Sequence, residues 1–157
     1  MRKEGGGAIE ASGGQGSAAA ASAAGPGPLS GPGCLVYITT ASEDEARRIG
    51  RAMVERRLAA CANVVPAIGS YYWWEGRLVE EGEALLLLKT LPEAVGAVMQ
   101  AVRELHSYQV PAISVVPLSD LNPAYLAWMR EEIRLPAGNR PAGQKGTGGG
   151  GGRKAGS

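Results

Sequence analysis

In the middle of this chain, segments whose hydrophobic residues recur every two residues alternate with segments in which they recur about every 3.6 residues. This change of period from segment to segment constrains the fold more than any other feature. Strand-like segments rich in β-branched and aromatic residues lie at 34–40, 61–74, 77–90 and 112–116. One helix-like repeat lies at about 43–58, a second starts after Thr90 and runs to about 105, and a third begins after Asn122. The order predicts an α+β, ferredoxin-like (βαββαβ) antiparallel sheet with two helices on one face, a long β2–β3 hairpin and an extra C-terminal helix.

Helix start signals support these boundaries. Ser42 is followed three residues later by Glu45, and Thr90 is followed by Glu93, so each pair is predicted to form a capping box. Asn122 precedes a proline and is predicted to cap the third helix.

The two longest strand-like segments, 61–74 and 77–90, are too long for a domain of this size. Fourteen residues extend about 45 Å, whereas a compact domain of about 100 residues measures roughly 30 to 35 Å across. The hairpin should therefore overhang, with a bulge or bend at Pro66 and Gly69, and expose the aromatic run 71–74. Pairing with further copies would cover it, which predicts a closed homo-oligomer with Tyr72, Trp73 and Trp74 at the interface. The alternative is a hairpin that folds back over its own sheet.

Glycine marks the ends of the predicted domain. Residues 1–33 contain ten of the 24 glycines and residues 136–157 contain nine, which leaves five for residues 34–135. Such segments bury too little apolar surface to offset chain entropy. We therefore expect a disordered tail at 1–33, a folded domain at 34–135 and a second disordered tail at 136–157.

The charge balance and the short apolar runs argue against nucleic acids and membranes as partners. Residues 34–135 carry ten basic and thirteen acidic residues, so the domain lacks the basic field that binds nucleic acid. No apolar run approaches the ~18 residues needed to span a membrane, so no membrane partner is expected. Two cysteines are too few for a disulfide framework, and reduced thiols favour a cytoplasmic location. Targeting to an organelle by the N-terminal tail stays open as an alternative.

Chemistry-bearing residues are sparse. No catalytic triad, phosphate-binding glycine loop or nucleic-acid motif is present. His106 and Cys61 are candidate ligands for copper or zinc, but a lone histidine more often packs or caps a helix. Cys61 is also the only candidate nucleophile for an enzymatic alternative, which would require an exposed thiol of depressed pKa.

Several segments of the chain resemble the CutA family, whose name refers to divalent-cation tolerance. They are 36–40, 58–64, 70–76, 88–90, 106–111 and 125–128, and together they span about 34–134. The resemblance implies a homotrimer held by the long hairpins, a role in divalent-cation tolerance and response to metal ion, links to copper, and no established catalytic activity.

The chain departs from the family at the candidate metal site. It has Ser107, Gln109 and Ala112 where the family usually has a proline and two glutamates after the histidine. We therefore expect a non-enzymatic protein with no obligatory cofactor and at most weak Cu²⁺ binding. The alternative is a small-molecule sensor similar to the PII proteins, or an interaction module, without a direct role for metal. Its trimer cleft would be lined by Lys89, Tyr108, Trp74 and Trp128.

Overall fold

The computed structural model describes residues 29–135, in which the elements follow the predicted order. They are β1 (Gly33–Thr40), α1 (Glu43–Glu55), β2 (Cys61–Trp74), β3 (Arg77–Thr90), α2 (Val95–Leu105), β4 (Ile113–Leu118) and α3 (Pro123–Glu132). A short 3₁₀ turn, Pro92–Ala94, precedes α2. The predicted tails lie outside the described residues, apart from residues 29–33, of which Gly33 already belongs to β1.

The four described strands form one antiparallel sheet in the order β2-β3-β1-β4. Even-numbered residues of β1 and of the second half of β3 are buried together with apolar residues of α1 and α2. The main core therefore lies between the sheet and these two helices, which confirms the ferredoxin-like fold. A smaller cluster beneath α3 closes one end of the sheet and contains Leu91, Met129 and Ile133.

The β2–β3 hairpin extends beyond the rest of the sheet, as its length predicts. Strand β1 pairs with β3 only from Ala84 to Thr90. Residues 77–83 of β3 consequently pair with β2 alone within residues 29–135. The β2–β3 register shifts between Val65 and Ile68. This interval contains Pro66, the proline that was expected to interrupt the ladder.

Helix α1 ends earlier than its hydrophobic pattern predicts. The pattern continues to Leu58, but the last helical residue is Glu55. Arg57 takes a left-handed conformation with φ 58°, and the N–H groups of Leu58 and Ala59 both donate to the carbonyl of Met53. This C-terminal turn directs Leu58 into the core in place of another helical turn.

Two of the three predicted helix caps are present. The Ser42 hydroxyl accepts from the Glu45 N–H, and the Asn122 side chain accepts from the N–H groups of Ala124 and Tyr125. The predicted capping box at Thr90 is wrong. Its hydroxyl is buried at the end of β3 and donates to the Leu58 carbonyl at 2.6 Å.

Strand β4 differs from its predicted limits because it begins one residue later and continues to Leu118. It includes Pro117, which was expected to end it. The sheet order places β4 at an edge, where a proline can occupy a position whose N–H would face solvent. No helix in residues 29–135 is long and apolar enough to cross a membrane.

Candidate functional site

The loop that follows α2 is held by a buried carboxylate from α1. One oxygen of Glu45 accepts a hydrogen bond from the Ser107 N–H at 2.7 Å. The other accepts from the Ser107 hydroxyl at 3.1 Å and from the Ala41 N–H at 3.0 Å. A single side chain thereby joins the turn after β1 to the loop that carries the only histidine.

Both ring nitrogens of His106 are occupied within the chain. Nδ1 accepts from the Tyr108 N–H at 3.1 Å, and Nε2 lies 2.8 Å from the Thr39 carbonyl oxygen. The neutral tautomer that satisfies both contacts carries its hydrogen on Nε2. A metal ion at Nδ1 would have to displace the hydrogen bond from Tyr108.

Tyr108 joins the same loop to the base of the hairpin. Its hydroxyl donates to the carboxylate of Glu83 at 2.9 Å, and both side chains are buried. Burial raises the pKa of Tyr108 well above its ordinary value, and the negative charges of Glu83 and Glu81 raise it further. Glu83 is the last overhang residue before pairing with β1 begins, so this contact ties the loop to the point where the hairpin leaves the sheet.

Glu45 should make stability depend on pH. Burial alone would raise its pKa, but hydrogen bonds from Ala41 and Ser107 and the nearby His106 outweigh burial and leave the pKa below its ordinary value of 4.5. The contribution of the ionised carboxylate is therefore fully present above about pH 4.5 and is lost as pH falls through the lower folded-state pKa.

Replacing Glu45 by Gln should lower the free energy of unfolding by about 1.5 to 3 kcal/mol at pH 7. The deficit should shrink below about pH 4.5, where the parent also loses its charge. Urea denaturation at fixed protein concentration between pH 3 and 7 measures this. Glu43→Gln is the matched control, since Glu43 is a partly exposed residue of the same turn whose surface ion pair with Arg47 should matter little. If Glu45→Gln lowers the free energy of unfolding equally at every pH, the ionised Glu45 carboxylate does not have the stabilising role assigned to it.

Lys89, Trp128 and Cys61 lie at the other end of the sheet. The Lys89 ammonium sits 5.6 Å from the centroid of the Tyr125 ring, which packs against Trp128 at 5.3 Å. Cys61 is directly opposite Lys89 in the β2–β3 ladder, and its half-buried thiol lies 3.7 Å from the Asn63 side-chain oxygen.

The structure separates the two predicted metal ligands within one chain. His106 contacts Thr39, which pairs with Leu85, whereas Cys61 pairs with Lys89. Four residues along β3 correspond to about 13 Å. Within residues 29–135, no three His, Cys, Asp or Glu side chains are grouped closely enough to hold a metal ion.

The four residues of the predicted cleft are also divided. Lys89 and Trp128 lie near α3, whereas Tyr108 contacts the base of the hairpin and Trp74 lies at its tip. One chain therefore does not form this pocket. A cleft that combines them from different subunits stays a prediction.

The aromatic residues of the hairpin are distributed between its two faces. Tyr71, Trp73 and Leu78 share one face and are 67%, 73% and 64% exposed. Tyr72 and Trp74 lie on the opposite face and are partly buried. The sequence analysis missed Leu78, which the register places directly opposite Trp73. Side chains alternate strictly between the two faces of a strand, and this alternation could have placed Leu78 on the face of Trp73.

The sheet face opposite α1 and α2 carries a second apolar surface that the sequence analysis also missed. Its large side chains include the partly exposed Tyr37, Val65 and Val116. The register places Leu85 and Leu87 on the same face. The unbroken apolar run 84–88 was the available signal, because such a run is typical of a strand covered on both faces.

Comparison with known proteins agrees with these elements. A family model described as CutA1 divalent ion tolerance protein matches residues 34–132. The divalent-cation tolerance protein CutA of Thermus thermophilus is 47% identical over 97 residues, which are 62% of this chain and 94% of that protein. Protein CutA of Homo sapiens is 39% identical over 111 residues, but the match covers 71% of this chain and only 62% of the human protein.

Solved structures give the same result. The Thermus thermophilus divalent cation tolerance protein superposes with a TM-score of 0.63 at 45% identity, covering 65% of this chain and 99% of that one. The CutA1 structure from Oryza sativa gives a TM-score of 0.64 at 34% identity, covering 65% of this chain and 94% of that one.

Proposed function

This chain belongs to the CutA1 divalent ion tolerance family, and we propose that it acts in divalent-cation tolerance and response to metal ion as a non-enzymatic homotrimer. The family match supports the role in cation tolerance, and the overhanging hairpin is the observation that carries the self-association. Residues 77–83 of β3 have a backbone edge that pairs with no strand in residues 29–135. The end of the hairpin, residues 71–78, exposes three large apolar side chains on one face.

Self-association removes both features from water. An unpaired strand edge is a template for another strand, and an exposed aromatic patch of this kind usually contacts a partner. The helix-free sheet face supplies a further apolar surface that further copies could cover. A closed ring covers these surfaces in every subunit equally, and the number three comes from the resemblance to the CutA family.

The absence of enzymatic activity is supported by the surroundings of the candidate nucleophile. The thiol of Cys61 lies next to the Asn63 amide, while the only imidazole is bound to Thr39 and Tyr108 at the other end of the strands. Within residues 29–135, the imidazole therefore does not lie beside the thiol as a general base. Both cysteines are free thiols, which supports a reducing compartment such as the cytoplasm.

The site also favours weak metal binding, with Cu²⁺ as the expected ion. His106 can offer Nδ1 only by giving up the hydrogen bond from Tyr108, and Cys61 lies too far away to complete the coordination. A tight site normally needs three or four ligands. Calorimetric titration of the full-length protein with Cu²⁺ should therefore show weak binding that largely disappears in His106→Ala.

Cys61→Ser is the matched comparison in this titration, because it removes the other candidate donor at a distant position. It should leave the affinity at His106 unchanged, and neither substitution should alter the subunit number. Equal affinity in the parent and in His106→Ala would remove His106 from the site. Nanomolar affinity in the parent would contradict a site with a single good donor.

A further inference from the structure

A groove runs between helix α1 and the outer edge of strand β2. Its volume is about 870 Å³, within the range of small-molecule sites. Arg47, Arg48 and Arg51 line its helical side. Ala62 and Val64 of β2 contribute apolar surface, and Trp128 of α3 also lines the groove.

The charges that line the groove favour an anion. Three arginines and one carboxylate, that of Glu55, line it. The carboxylates that pair with Arg47 and Arg48 belong to Glu43 and Glu45, which do not line the groove. The Arg51 side chain is 80% exposed and lies 3.9 Å from Glu55, a separation that leaves its guanidinium available to another acceptor.

Trp128 gives the groove an aromatic surface with a further positive charge nearby. Its ring is 39% exposed and packs against Tyr125, whose ring lies beneath the Lys89 ammonium. Lys89 is the only lysine in residues 29–135, and no carboxylate in that range lies within ion-pair distance of it. An aromatic anion could stack on Trp128 while its charge meets cationic side chains.

We propose that this groove binds a small organic anion that combines a flat aromatic ring with a phosphate. The ring lies against Trp128, and the phosphate is bound by Arg47 and Arg51. The site goes beyond the proposed role in cation tolerance, since it uses neither His106 nor a metal ion. Arg51 recognises the phosphate by charge and by the paired N–H groups of its guanidinium.

The test is calorimetric titration of the full-length protein with 1-naphthyl phosphate as the probe. Arg51→Gln and Trp128→Leu should each raise its Kd by about tenfold or more. Arg103→Gln is the matched control, because Arg103 is an exposed arginine of α2 that does not line the groove. Inorganic phosphate and 1-naphthol, which each carry half of the probe's chemistry, should bind more weakly than the probe.

Tryptophan indole signals in ¹H–¹⁵N NMR spectra give a second measurement. They can be assigned with single substitutions, and only the signal of Trp128 should move on addition of the probe. Movement confined to Trp73 would place the probe on the hairpin tip and overturn the proposal. An unchanged Kd in Arg51→Gln and Trp128→Leu, or no binding at millimolar probe, would also overturn it.

Discussion

Light scattering of the full-length protein at micromolar concentration is expected to give about three times the chain mass of 16.2 kDa. Trp73→Ala should weaken the assembly by about 3 to 5 kcal/mol per subunit and shift it towards monomer on dilution. The reason is that Trp73 is 73% exposed in the single chain, so its ring loses contact with water only through a neighbouring subunit. The effect of the substitution should therefore depend on protein concentration.

Val110→Ala is the comparison for this experiment, because Val110 is also an exposed apolar residue but lies in the loop after α2. It should leave the mass unchanged. A monomeric parent would contradict the assembly itself. A trimeric parent unaffected by Trp73→Ala would show that the Trp73 ring is not buried between subunits.

The fold was predictable from sequence because its strands and helices are encoded by local patterns. The alternation in 61–74 and 77–90 and the caps at Ser42 and Asn122 required no knowledge of distant contacts. Thr90 shows where this approach fails. Its spacing to Glu93 is that of a capping box, but the hydroxyl meets the carbonyl of Leu58, 32 residues away in sequence.

The candidate site depends almost entirely on such long-range contacts. Glu45 was recognised as a helix-capping residue, but its hydrogen bonds to Ser107 join residues 62 positions apart. Sequence identified Lys89 and Tyr108 as residues of interest without showing that they lie at opposite ends of the sheet. Only the strand register and the path of the loop after α2 determine that separation.

The other large effect is expected at the buried pair formed by Tyr108 and Glu83. Tyr108→Phe removes the hydroxyl that donates to the Glu83 carboxylate and leaves that carboxylate, which is 6% exposed, without this hydrogen bond. A hydrogen bond to a charged group contributes about 1.5 to 3 kcal/mol, and an unsatisfied buried charge adds to the cost of losing it. Urea denaturation at fixed protein concentration should therefore show a loss of about 2 to 3 kcal/mol.

A double-mutant cycle tests whether this loss belongs to the pair. Glu83→Leu combined with Tyr108→Phe should cost less than the sum of the single changes, because the double variant leaves neither polar group buried alone. Tyr125→Phe is the matched control, since Tyr125 is a partly buried tyrosine of α3 that lies outside the hairpin. It should change stability by less than about 0.5 kcal/mol. Additive single effects would mean that the two residues act independently.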